Sequence, residues 1–441
     1  MQSKLLLLIC RWLARLLFGA VPAWAMAQAP TTPAVAVPGV SVGARTGPQW
    51  IPVPRLVGRL SAHDIGLVIN TADAYSVAVG EHYIRRRGLA PAQVLRVKLP
   101  PGNSLTVVDF ERLRDNINAH FGRTTQALAL AWTAPYAVEC NSITGALALG
   151  FDAELCKQSC AASKVSRYFN SPSMRPLADL GWRPSMLLAA PSVEQAKALI
   201  DRGVASDGTL ARRGRPNVNA MLLQTDDAAR RVRMVLYPPA GDVRGLGVTV
   251  KVVPAAELAA VPRVFMVITG SVTVNLSPPP EWLPGGLGDH LTSVGGALYG
   301  AGGQSTVLEW IASGATASHG SVSEPCNHLQ KFPHPQVLLL HYVQGATAIE
   351  AYWKSVAWPQ QSLFVGEPLA APFSPPISRA PLTPVAPASA ASKAASVPDS
   401  SADSPANNPA NSPANSPANS PEAVSPAAPA SPQLPPPAVP P

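Results

Sequence analysis

Apolar residues gather in short runs that alternate with segments of helical spacing. The stretches 65–70, 93–99, 127–132, 185–190, 218–223, 248–253, 264–269 and 362–365 are compact apolar runs, the pattern of strands buried on both faces. Between them, Val77, Tyr83 and Ile84 share one side of a segment from Asp73 to Gly88, and Phe110, Leu113 and Ile117 do the same within 106–121. Ser192 with Gln195 opens another helix through a capping box, Asp226 is positioned to cap a further one, and residues 345–355 read as the last. Strands alternating with helices predict an α/β fold with a mostly parallel, doubly wound sheet.

The densest stretch is 287–326. Residues 304–311 carry Val307, Leu308 and Ile311 at helical spacing, with Ser305 or Gln304 as the cap and Gly314 as the stop. The small residues 315–318 then predict a buried strand that delivers His319 and Gly320 to its end. Open α/β sheets hold ligands beyond the carboxyl ends of their strands. The expected site is therefore a crevice shared by Asp289, Ser293, His319 and Glu324, with His290 on the same loop.

Both ends depart from this rhythm. Residues 1–27 combine Lys4, Arg11 and Arg15 with an apolar run and the small-x-small triplet Ala25-Met26-Ala27, which predicts a cleaved secretory signal peptide and a periplasmic or secreted protein without a transmembrane anchor. Residues 28–60 read as an extended arm. The segment 374–441 holds 19 of the chain's 49 prolines, too little apolar surface to offset its conformational entropy, and so predicts a disordered tail. The intervening 61–373 form the α/β domain, with 135–184 as an insertion.

The formal net charge of +8 is mild for the length. The clusters Arg85-Arg86-Arg87, Arg212-Arg213-Arg215 and Arg230-Arg231-Arg233 lie on or beside helical patterns and read as solvated faces, and aromatic interleaving is missing, so nucleic acid is not the expected partner. Four cysteines remain after the signal: Cys140, Cys156, Cys160 and Cys326. An even count in an exported chain favours disulfides bracing the insertion, with Cys156 to Cys160 and Cys140 to Cys326 as the expected pairing.

Candidate chemistry is compositional. Asp289, His290 and Ser293 have the residue types of a triad, but neighbours in sequence rarely converge as one. His290, His319, His328, His334 and His341 cluster with Glu324 without metal-ligand spacing, so no metal is expected. The glycine runs around Gly286 and Gly302 lack the residues of a phosphate loop and read as turns or a mobile lip; no cofactor is expected.

Four phrases carry a resemblance: Trp132-Thr-Ala-Pro-Tyr-Ala-Val-Glu-Cys140, Asp289-His-Leu-Thr-Ser-Val-Gly-Gly296, Trp310-Ile-Ala-Ser-Gly-Ala-Thr-Ala-Ser-His-Gly-Ser-Val-Ser-Glu-Pro325 and Val365-Gly-Glu-Pro-Leu369. Together they resemble a functionally unassigned family of exported bacterial proteins, itself distantly similar to the gingipain-type cysteine peptidases with their caspase-like sheet. The resemblance implies a caspase/gingipain-like fold. The peptidase site requires His-Gly at one strand end and Cys at the next, yet 264–270 ends without histidine, and Thr292 and Ser293 stand where the cysteine belongs. Two classes follow: a catalytically degenerate binding or scaffold protein recognising an envelope protein, peptide or cell-wall component, or an exported hydrolase using Ser293 or Cys326 with His290 or His319.

Overall fold

The computed structural model describes residues 47–211, 216–243 and 245–375. The expected signal peptide, the arm before residue 47, the Arg212-Arg213-Arg215 cluster and the tail from residue 376 lie outside the described residues.

The chain opens with β1 (Ile65–Asn70), α1 (Ala74–Arg87), β2 (Val94–Val97), the short β3 (Ser104–Leu105), α2 (Val107–His120) and β4 (Ala127–Leu130). All six residues of β1 are buried, as an unbroken apolar run requires. Asp73 caps α1 by accepting from the Tyr75 amide, and Gly88 closes it at φ 66°, where a side chain would be strained. The insertion contributes β5 (Ala137–Val138), β6 (Asn141–Ser142), α3 (Ile143–Leu149), α4 (Glu154–Lys157) and α5 (Pro176–Leu180), and β3, β5 and β6 form a separate small sheet. Then follow β7 (Ser185–Leu187), α6 (Val193–Ser206), β8 (Val218–Gln224), β9 (Gly241–Val243), β10 (Val248–Pro254), β11 (Val264–Gly270), β12 (Trp282–Leu291), α7 (Val307–Ser313), β13 (Ala317–Ser321), α8 (Pro335–Val343), α9 (Ala348–Ser355) and β14 (Ser362–Gly366).

The main sheet has eleven strands in the order β2-β1-β4-β7-β14-β13-β12-β11-β8-β10-β9. The expected α/β class and mostly parallel sheet are present, in two opposed blocks. From β2 to β14 every junction is parallel, and from β13 to β10 every junction is parallel again. The blocks meet antiparallel at β13 and β14, with His319 opposite Phe364 and Ser321 opposite Ser362, and β9 adds an antiparallel edge. Each block therefore has its own carboxyl edge, and the two edges lie at opposite ends of the sheet. In the second block, β8 leads outward to β10 and the chain returns to β11 on the other side of β8, which makes a topological switch point there.

Several local expectations shift. Asp289 and His290 lie inside β12 rather than in a loop, and His319 is the middle residue of β13 rather than past its end. Gly286 and Gly288 are strand residues: a Cβ at Gly288 would sit 2.4 Å from the Trp310 ring, so the glycine lets that indole lie directly on the strand. The second run does form a turn, with Gly300, Gly302 and Gly303 all at positive φ. Helix α7 begins one residue beyond the expected caps, with Thr306 and Glu309 forming its capping box. No α-helix follows Asp226; Asp227 nucleates a turn by accepting from the Ala229 and Arg230 amides, and a 3-10 helix spans Arg231–Leu236.

The basic clusters are not uniformly solvated. Arg87 is held between Glu367, through bonds of 2.9 and 2.6 Å, and Asp207 at 2.6 Å. The Gly366-Glu367-Pro368 turn thus anchors the end of β14 to α1, and Gly203 leaves the space that the Glu367 side chain fills. Arg233 is buried as well. Residues 47–60 run as an extended strap, with the Ile51, Leu56 and Leu60 amides donating to Gln336, Gln344 and Glu350.

The disulfides are Cys140–Cys156 and Cys160–Cys326, which corrects the expected pairing. Asn141 and Asp152 exchange two hydrogen bonds, of 2.9 and 3.0 Å, that fold Cys140 back onto the α4 turn bearing Cys156. The Gln361 amide donates to Ser159 O, Ser323 Oγ and Glu324 O, and so lays the chain around Cys160 against the chain around Cys326.

Candidate functional site: the carboxyl edge of the second block

Strand alternation sends Asp289 and His290 to opposite faces of the sheet. His290 points at α7, where the Trp310 indole N–H donates to its Nδ1 at 2.9 Å; its Nε2–H must then donate to Ser305 O at 3.0 Å. Both ring nitrogens are occupied, and burial depresses the imidazole pKa to about 4. His290 is a structural residue of the helix-strand packing and has no contact with the other candidates that a triad would need.

Asp289 faces the other side and accepts from buried Arg233, which also donates to Thr269 O. Its second oxygen lies 3.2 Å from His319 Nδ1, and His319 Nε2 lies 2.9 Å from Ser362 Oγ. Burial alone would raise the Asp289 pKa, but the Arg233 charge and His319 outweigh it and hold the carboxyl below its usual range. The chain Arg233, Asp289, His319, Ser362 crosses the seam between the two blocks, and every member is buried. Its last three residues have the order of a Ser-His-Asp relay. Ser362 was invisible as a partner because its pairing with Ser321 depends on the antiparallel seam. Arg233 was hidden in a cluster that reads as solvated.

Ser293 and Glu324 are brought together elsewhere. They line a crevice of about 280 Å³ beyond β12 and β13, with Arg230, Thr292, Asn327 and Phe332 among its walls. Arg230 is half-buried and fixed by Asp227 at 2.8 Å, while the Gln304 side chain receives the Thr292 hydroxyl and the Ser293 and Val294 amides. Gly295 and Gly296 cross directly over Gly320: a Cβ on Gly320 would lie 2.3 Å from the Gly295 carbonyl carbon, which explains the glycine pairs of this motif. Phe332 belongs to the crevice wall and also packs on His319, ring centroids 6.2 Å apart, so it separates the crevice from the buried relay.

The remaining wall is Glu324 to Asn327. Glu324 is exposed and accepts from the Cys326 amide at 2.7 Å, and Asn327 donates to Ala229 O at 3.0 Å. Cys326 and Asn327 both have left-handed backbones, φ 55° and 47°. Two consecutive non-glycine residues in that region mark a segment imposed by its surroundings.

A second cleft, of about 430 Å³, opens on the α7 face beside the switch point and is lined by Leu223, Leu258, Leu276, Pro278 and Trp310 among others. Among the described residues no group of three or more His, Cys, Asp or Glu side chains could hold a metal ion, and no helix is long and apolar enough to cross a membrane. No family model, curated protein or solved structure matches the chain.

Proposed function

We propose that the chain is an exported binding or scaffold domain of caspase/gingipain-like descent that has lost catalysis, and that its crevice beyond β12 and β13 takes a peptide or cell-wall component of the envelope. One observation carries this reading: no nucleophile at the crevice has a base. The Cys326 sulfur is bonded to Cys160, and the thiolate that a cysteine peptidase needs does not exist. Ser293 Oγ has no histidine partner, because His290 is committed to Trp310 and Ser305, and His319 to Asp289 and Ser362. What remains is a polar recess with an oriented arginine, an exposed carboxylate, hydroxyls and an apolar wall, the make-up of a recognition site. Two disulfides accord with an oxidising compartment outside the cytoplasm.

The test is titration of the chain with a panel of short envelope-derived peptides and muropeptides, read by calorimetry and by product analysis. Saturable binding that Arg230→Ala or Ser293→Trp weakens, with unchanged melting temperature and no turnover, supports the reading. Turnover that Ser293→Ala abolishes overturns it. The hydrolase alternative has one observation in its favour, the Asp289, His319, Ser362 hydrogen-bond order, and its nucleophile would then be Ser362 rather than Ser293 or Cys326.

A further inference from the structure

The Cys160–Cys326 bond joins two parts of the molecule that are 166 residues apart in sequence. Cys160 belongs to the insertion and is exposed, whereas Cys326 is half-buried and forms part of the crevice wall. The wall beside it is conformationally unusual, with Cys326 and Asn327 both left-handed. The Cys326 amide donates to Glu324 Oε1 at 2.7 Å, which fixes the crevice's exposed carboxylate. Apart from the disulfide and the buried Pro325, the segment Glu324 to Asn327 is tied to distant parts of the chain by two hydrogen bonds, the Gln361 amide on Glu324 O and Asn327 on Ala229 O. The other disulfide shares that exposure pattern, with Cys156 exposed and Cys140 half-buried, but neither of its cysteines lines the crevice. It closes a loop with a separation of 16 residues inside the insertion, where Asn141 and Asp152 already hold the chain together.

We propose that Cys160–Cys326 is a redox-exchangeable latch that sets the shape of this crevice, and that its chemical partner is a dithiol oxidoreductase or small dithiol. The proposal rests on the crevice being the binding site. The donor's first thiolate attacks the sulfur of Cys160, the exposed residue of the pair; the bond to Cys326 breaks, and Cys326 leaves as a thiolate that takes up a proton. The donor's second thiolate then attacks the mixed disulfide, releasing Cys160 and leaving the donor as a disulfide, a two-electron exchange. Freed from Cys160, the segment from Glu324 to Asn327 loses its covalent tie to the insertion, and the wall that carries the Glu324 carboxylate becomes mobile.

Hydrogen exchange followed by mass spectrometry tests this without any ligand, so the latch can fail while the binding reading stands. The full chain is treated with dithiothreitol below the concentration that unfolds it, and free thiols are counted by alkylation and peptide mapping. Alkylation at Cys160 and Cys326 without global unfolding, with exchange in 322–332 accelerated about tenfold or more and the β1 and β4 peptides unchanged, is the expected result. Because reduction could act more widely, the Cys160→Ser/Cys326→Ser variant is measured unreduced and should show the same local acceleration. Exchange in 322–332 that stays within about twofold of the oxidised chain in either sample, or thiols that appear only with global unfolding, overturns the latch.

Discussion

Replacing Asp289 by asparagine removes one charge from a fully buried ion pair and leaves the other in place. Arg233 and Asp289 have side chains 1% exposed, so water cannot take over the lost interaction. In Asp289→Asn the guanidinium faces only neutral acceptors, Thr269 O and the amide oxygen of the new side chain, and its Nε already lacks a partner. A unit pair at contact distance in a medium of effective dielectric about 20 is worth about 4 kcal/mol, and removing one member of a buried pair costs about 3–5 kcal/mol. Urea unfolding followed by far-ultraviolet circular dichroism should show that loss. The double variant Asp289→Leu/Arg233→Met, which removes both charges, should recover to within about 1–2 kcal/mol of the parent. The pH dependence has a definite sign. The folded Asp289 pKa lies below the unfolded value, so its contribution is complete above about pH 4 and is lost as pH falls through the folded value. A loss under about 1 kcal/mol in Asp289→Asn, or a double variant worse than the single, would refute the reading of Arg233–Asp289 as a buried, mutually compensated ion pair.

Two further outcomes check the packing of β12. Gly288→Ala places a methyl 2.4 Å from a tryptophan ring that His290 anchors, and should cost about 1–3 kcal/mol, while Gly122→Ala, whose Cβ meets no atom within 4 Å, should not destabilise. His290 has a folded pKa of about 4 against an ordinary 6.5, so the unfolded chain binds its proton first and stability should decline as pH falls across that interval; thermal melts of His290→Gln should lack this component.

The alternation of strands and helices was legible because most main-sheet strands are apolar runs, as β1 shows, whereas the polar β9 and the glycine-rich β12 carry no such signal. The antiparallel seam was not. Ser362–Gly366 reads as a buried strand in either direction, and only its pairing with β13 decides which. The same long-range fact put Ser362 against His319. Gly286 and Gly288 read as a turn because glycine signals turns locally, whereas here the missing Cβ makes room for Trp282 and Trp310, the latter 22 residues beyond Gly288. The disulfide pairing depends on Gln361 drawing two distant segments together, which no spacing reveals. Ser293 and Glu324, by contrast, were placed together from the rule that open α/β sheets hold ligands beyond their strand ends, and they line one crevice; Asp289 and His319 lie beneath it, a residue or more inside their strands.

The central claim is that the crevice binds without catalysing. The native, unreduced chain incubated with a fluorophosphonate probe and, separately, with iodoacetamide, then weighed intact, tests it most directly. The account predicts no adduct on Ser293, Ser362 or Cys326 from either reagent, since Ser293 lacks a base, Ser362 is buried and Cys326 is bonded to Cys160. A stoichiometric adduct on Ser293, Ser362 or Cys326 that disappears in His319→Ala would contradict it and establish an active hydrolase.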